Sequence, residues 1–582
     1  MEAPLSPSSG GSSHPRGSSS APSTGAYVDN RDYYRIGGPT PLPAWPVKLG
    51  PPSQDHPQSL WDALSEVVGK HFSDYGVEQR LVLYCQRWTD GESPLSTDDT
   101  LYITTASAPD RSQWFSFMEK IVGIAMELGF KGRVEMIYEK AKGGVRSYPP
   151  VLSGYHQQHW NEIERVVAKQ LSDAHIPWNI IMPANRGYWE DISRLTIVVK
   201  MRQFVPKNVL TATEHSILGE ISHHGVAVEI SRSVRLWGVF SSSGPVQSSS
   251  SLGWPFTHSY NTMGLSLSRV SAPICGTLGG YLVITDKGGK KRTLGVTCDH
   301  VVRAGPNDEV DLGMYCIIPE NGAAASEALD IQSSGTITAG YPCQSPAMGD
   351  ISIAMAQAKT IADTPSHLDA HPVLQQQAKA LQDQGLQQLR EITTFNAGIG
   401  TAVGLSGWRN MKLPNDPSTM ILLDWAVIEI DNAKDSFNDI IALPSDLRHD
   451  LRQLWEADKL EVPCISPLPP AGTVLFKRGR STGVTAGVLG TLQSAACRPG
   501  SVPCPPSLHH RAYIVFDKFG NNFGEEGDSG AWCLNAKGEV VGLLIGGCTA
   551  DGYALIIPMD MVVQDIEHRA NCGAGSVRLK MA

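Results

Sequence analysis

A single serine sits among glycines in the run NNFGEEGDSGAWCL, at Gly527-Asp528-Ser529-Gly530. Glycine on both sides lets the backbone turn sharply and expose the Ser529 Oγ. It also lets backbone N–H groups converge where an oxyanion would form. A serine hydroxyl is a weak nucleophile and needs a base that is itself oriented by a carboxylate. His300, in TLGVTCDHVV, follows an apolar strand-like run directly and falls where strand gives way to turn. Two acids fit the third role. Asp424 opens DWAVIEI and Asp350 opens DISIAMA, both read as acids leading an alternating apolar strand. The residue types alone leave these two open.

These groups need a scaffold. From about 272 onward, short apolar runs alternate with Gly- and Asp-rich turns, among them GGYLVIT, TLGVTC, GIGTAVGL, LLDWAVIEI, TVLFKRG, VTAGVLGTL, AYIVF, VVGLLIG and YALII. Many short strands with frequent turns point to a β barrel or sandwich. Helical patterns interrupt it at 372–394 and 445–458, and a last helix is expected after Pro558.

The rest of the chain has other textures. Residues 1–57 are rich in Ser, Pro and Gly and are expected to be disordered, because they bury too little to offset ordering entropy. Residues 58–240 alternate helical and strand-like patterns, with three imperfectly similar helix-then-strand units starting near Trp61, Trp114 and Trp160. That alternation predicts an α/β domain, whose role is not readable. The Ser/Gly-rich stretch 241–271 reads as a linker, and 272–582 as the second folded domain.

Composition narrows the function classes. The 582 residues carry a net charge of −10, against a general nucleic-acid or anionic-membrane binder. No apolar run approaches the ~20 residues that span a bilayer, and the start has no secretory pattern. The 11 cysteines are odd in number, scattered and without Cys-x-x-Cys, so neither a disulfide framework nor a thiolate metal site is expected. The nearest metal-like group, Cys504 with His509 and His510, lies in a Pro-rich stretch and reads as exposed loop.

Taken together, these segments resemble the chymotrypsin-like (trypsin-like) serine proteases. The order His, Asp, Ser is theirs. Their histidine motif is similar to GTLGGYLVI…LGVTCDHVV, their aspartate motif to Asp424-Trp-Ala-Val-Ile-Glu-Ile, and their nucleophile motif to Gly527-Asp528-Ser529-Gly530. KRGRSTGVTAGVLG (477–490) resembles a motif of the bacterial, viral and fungal branches. The layout is most like intracellular fungal enzymes with an extra N-terminal domain, and the likeness covers roughly half the chain.

The resemblance implies an all-β double barrel with helical insertions at 272–582. It implies a serine endopeptidase in which His300, Asp424 and Ser529 form the triad, with Asp350 as the other candidate acid. The oxyanion hole would be the backbone of Gly527 and Ser529. Substrate would meet Phe523, Gly524, Ile545, Gly546 and Gly547, with an uncharged side chain preferred. No cofactor or metal is implied. The partner would be a peptide or protein substrate, without nucleic acid or membrane. Val301 and Glu525 stand where the secreted animal enzymes carry cysteines, which with the scattered cysteines implies an intracellular, cytoplasmic setting. The domain also begins inside the chain, against activation by a new terminal ammonium that pairs with Asp528. The alternative is a catalytically silent barrel acting as a scaffold. An α/β-hydrolase esterase is disfavoured, because its order is Ser, acid, His.

Overall fold

The computed structural model describes residues 28, 34–40, 42–43, 47–75, 77–89, 94–95, 98–106, 110–141, 145–150, 152–201, 205–232, 261–270, 272, 275–303, 340–363, 372–406, 409–413, 416–431, 436–439, 452–456, 462–497, 509–518 and 522–581. Most of the expected disordered start, most of the expected linker and most of the expected helix at 445–458 lie outside them. Two compact units emerge, Met1–Gly144 and Val145–Ala582.

In the first unit, a five-stranded sheet runs in the order Arg35–Gly38, Arg133–Tyr138, Asp99–Thr105, Gln79–Thr89, Val47–Gly50. Only the pair Asp99–Thr105 and Arg133–Tyr138 is parallel, joined through helix Arg111–Glu127. Asp110 caps that helix, accepting from the backbone N–H of Ser112 and Gln113. Trp61, Phe72, Trp114 and Phe117, from helices Gln58–Asp74 and Arg111–Glu127, pack on Leu101, Ile103, Val134 and Met136 of the sheet.

The second unit is mostly β. Its first barrel uses Leu265–Arg269, Gly276–Leu278, Gly280–Thr285, Lys291–Thr297, Ala426–Ile430, Gly398–Leu405 and Tyr341–Gln344. Only Gly279 separates the second and third of these, so one bent segment pairs with Leu265–Arg269 on one side and Lys291–Thr297 on the other. Leu265–Arg269 falls within the stretch read as linker. Its strand character rests on one core leucine, Leu267, between buried Ser266 and Ser268, and these serines conceal it in composition.

Six strands close the second barrel: Val474–Gly479, Gly483–Cys497, His509–Asp517, Tyr553–Pro558, Val540–Cys548 and Trp532–Leu534. The long Gly483–Cys497 pairs with both Val474–Gly479 and His509–Asp517 and so completes the ring. Helix Met559–Arg569 follows Pro558 as expected. The same long strand reaches outward to Trp178–Gly187, with Ala495 opposite Ile181. A second α/β layer, with strands Trp178–Gly187, Arg194–Met201 and Ala227–Arg232, thus continues the barrel's sheet. The expected 58–240 region therefore contributes to both units.

One expected strand is a helix. The segment opened by Asp350 lies in Met348–Ala362, which packs against helix Pro372–Thr394. The alternation in ISIAMA is short. The Ala, Gln and Lys that follow extend a good helix-former over four turns, which outweighs it.

Candidate active site

His300 lies in the short helix Asp299–Arg303, immediately after strand Lys291–Thr297. Asp424 lies between strands Asp416–Leu423 and Ala426–Ile430. Thr297 and Ala426 are paired opposite each other, so residues just beyond these strand ends meet. His300 Nδ1 is 2.6 Å from Asp424 Oδ2, and the His300 backbone N–H donates to Asp424 Oδ1 at 3.2 Å. Asp424 is fully buried and the imidazole is 10% exposed. With the carboxylate ionised, Nδ1 carries the proton and Nε2 is the basic nitrogen. Burial pushes the imidazole pKa down. The Asp424 charge and hydrogen bond, with a smaller part from Asp299, outweigh burial and hold it above the ordinary 6.5.

Ser529 is held by strands of both barrels. Its carbonyl accepts from the Thr277 N–H at 2.8 Å, and the next residue, Gly530, donates its N–H to the Leu544 carbonyl at 2.8 Å. Thr277 Oγ1 donates to the Gly527 carbonyl at 2.8 Å. Gly527 and Gly530 have φ of +98° and +96°, which a side chain would strain. The close approach to the histidine side shows at Gly276. A Cβ there would lie 2.5 Å from Val301 Cγ2 and 2.7 Å from the Ser529 carbonyl, so the residue after His300 and the serine backbone crowd one glycine. Ser529 Oγ is enclosed and has no hydrogen-bond partner among the described residues.

Beneath this loop is a charge pair that sequence reasoning missed. Lys477 Nζ donates to Asp528 Oδ2 at 2.6 Å, and both side chains are fully buried. Asp528 also accepts from the N–H of Ser481 at 2.8 Å, Thr482 at 3.3 Å and Glu525 at 3.1 Å, and from Thr482 Oγ1 at 2.7 Å. The sequence signal for Lys477 was its place in KRGRSTG, three residues before an arginine in a tight turn. Nothing in that spacing named Asp528 as its partner.

Asp350, the other candidate acid, is not beside the histidine. It binds Arg480, whose Nε donates to Asp350 Oδ1 and Oδ2 at 3.1 and 2.9 Å.

The expected substrate residues divide. Gly546 and Gly547 are half-buried at the end of strand Val540–Cys548, and Ile545 is buried in the core. Phe523 is fully buried in the second barrel's interior, beside Leu544 and Ala554. Its ring is core and not an open pocket floor, a correction that follows from the barrel's need to fill its centre. Behind it stands Asp517, also unforeseen. It accepts the Phe523 N–H at 2.5 Å, and burial pushes its carboxyl up to about 7.

Cys298, His300 and Asp424 bring potential metal-ligand atoms within 4.8 Å of one another. The Cys298 thiol does not suit a metal. It donates to the Leu544 carbonyl at 3.2 Å, and burial first, with the Asp424 charge, holds its pKa well above 9.

No protein-family model matches the sequence, and neither does any curated protein. Among solved structures, the chain is similar to a glutamic acid specific serine protease at 10% identity, with 55% of this chain and 100% of that one covered and a TM-score of 0.25. It is similar to Nocardiopsis protease at 11% identity, with 55% and 98% covered and a TM-score of 0.25. It is also similar to Thermobifida fusca protease A at 10% identity, with 55% and 100% covered and a TM-score of 0.25. At these values the chain's own geometry has to decide its chemistry.

Proposed function

We propose that the chain is a serine endopeptidase of the chymotrypsin-like type. The observation that carries the reading is the 2.6 Å contact of His300 Nδ1 with buried Asp424, set in a strand frame that also holds the Ser529 loop. Ser529 Oγ attacks the scissile carbonyl while His300 Nε2 takes its proton. Asp424 fixes the tautomer and stabilises the imidazolium. The imidazolium then protonates the leaving amine, and water repeats the cycle on the acyl-enzyme. The N–H groups of Gly527 and Ser529 stabilise the oxyanion, each such donor contributing about 3 kcal/mol to the transition state. A substrate strand adds to the edge at Ile545–Gly547. Gly524 and Gly547, rather than the buried Phe523, border the side-chain pocket.

The buried Lys477 ammonium takes the place of a new chain terminus as the partner of Asp528, which supports activity without N-terminal processing. Eight described cysteines are free thiols, which supports a reducing, intracellular setting.

Peptide-library hydrolysis by the full chain tests this reading. Wild type should cleave internal bonds, and Ser529→Ala should not. A folded wild type that cleaves nothing across the library favours the silent scaffold instead.

A further inference from the structure

Asp350 sits in the first turn of helix Met348–Ala362, where a carboxylate complements the positive end of the helix dipole. This helix and Pro372–Thr394 share a small core of Ala358 and Ile392, flanked by Ile351, Leu389 and Phe395, separate from the barrel's main cluster. The helix pair therefore joins the barrel as an appendage. Its Asp350 meets Arg480 as a fork on a fork, with Nε on both carboxylate oxygens and Nη2 on Oδ1 as well. The pair is largely enclosed, at 12% and 15% exposure.

Arg480 reaches the serine loop by three routes. Its backbone N–H donates to Thr277 Oγ1 at 3.0 Å, and that hydroxyl donates to the Gly527 carbonyl at 2.8 Å. Its Nη1 donates to Ser481 Oγ at 3.4 Å, and Ser481 Oγ donates to the Glu526 carbonyl. A Cβ on Gly527 would lie 2.6 Å from Arg480 Nη1, so the guanidinium lies directly against the backbone that offers the first oxyanion N–H. A guanidinium held bidentately has one orientation, and one held by a single bond has several.

We propose that the Asp350–Arg480 pair is a positioning device for the oxyanion loop, through which the helix pair sets turnover from outside the site. The inference rests on the serine endopeptidase reading. Asp350 touches no reacting atom. It acts by fixing Arg480, which fixes Gly527. A ligand or modification that pulls Met348–Ala362 away from the barrel would slow acylation without closing the substrate cleft.

The test uses the full chain as wild type, Asp350→Asn, Asp350→Glu, Arg480→Met and the Asp350→Asn/Arg480→Met double variant. Active sites are counted by fluorophosphonate end-point, so unfolded protein drops out of the rate. Per active site, Asp350→Asn should lower kcat about 10- to 100-fold, the scale of a misplaced catalytic group, with KM within about twofold. The phosphonylation rate should fall in step. Asp350→Glu should recover much of the loss, and the double variant should be no slower than Arg480→Met alone. The proposal is overturned if Asp350→Asn keeps its kcat per active site, if it raises KM alone, or if the two single losses multiply in the double variant. If Asp350→Asn does not fold, the kcat per active site of Arg480→Met decides, and an unchanged value there sinks the idea. A wild type that the fluorophosphonate never labels overturns the parent reading instead, and this one with it.

Discussion

The two barrels treat their buried carboxylates differently. In the first, Asp424 accepts, among the described residues, from His300 alone, receiving its backbone N–H and its ring nitrogen. In the second, Asp528 is surrounded by donors from Lys477, Ser481, Thr482 and Glu525. On the proposed reading, one carboxylate would tune a base and the other would hold a loop still. Reacting atoms need unspent hydrogen-bonding capacity, and the shell that places them needs none left over. On the proposed reading, Ser529 Oγ, without a partner among the described residues, would belong to the first kind.

Substitutions on each side should therefore fail in different currencies. The largest effects belong to the groups that would react. Ser529→Ala or His300→Ala should lower kcat by about a millionfold. Asp424→Asn should lower it about ten-thousandfold through the wrong tautomer. Peptide hydrolysis and thermal melts should show all three as folded and slow. A variant that is both slow and unfolded would blur the distinction between the two carboxylates.

Lys477→Met should do the opposite. It strands a fully buried Asp528, which costs about 3–5 kcal/mol. Urea melts should show that loss, and the Lys477→Met/Asp528→Leu double variant should regain most of it. A Lys477→Met protein as stable as wild type would contradict the reading that this buried pair holds the loop.

The smallest effect is on pH. His300 must be neutral to act as a base, so kcat/KM should fall with acidity through a value above 6.5. In Asp424→Asn the main raising influence is gone and only the smaller one of Asp299 remains against burial, so the residual activity should titrate at lower pH. Stability should run the other way. The raised imidazole adds stability below its ordinary 6.5, and that increment fades as pH rises through the higher folded value. An acid limb that ignores Asp424→Asn would break the assignment of that carboxylate.

Sequence reasoning reached the parts of this comparison that carry local signals. His300 was legible because an apolar strand ends three residues before it. Ser529 was legible because glycines bracket it. The partners of Asp528 were not, since Lys477 lies 51 residues away and its contact is made by barrel closure. The same holds for Asp350, whose short alternating run reads as strand until the helix-formers after it are counted. It holds too for the α/β layer from Val145 onward, which joins the barrel by edge pairing at Ile180 and Ile181. Such a pairing leaves no periodic trace in either strand.

Labelling of the full chain with a fluorophosphonate, followed by mass-spectrometric mapping of the adduct, tests the central claim most directly. One phosphonyl group on Ser529, strongly slowed in His300→Ala and absent in Ser529→Ala, is the expected result. Folded wild-type protein that remains unlabelled, or that carries the adduct on another residue, would contradict it.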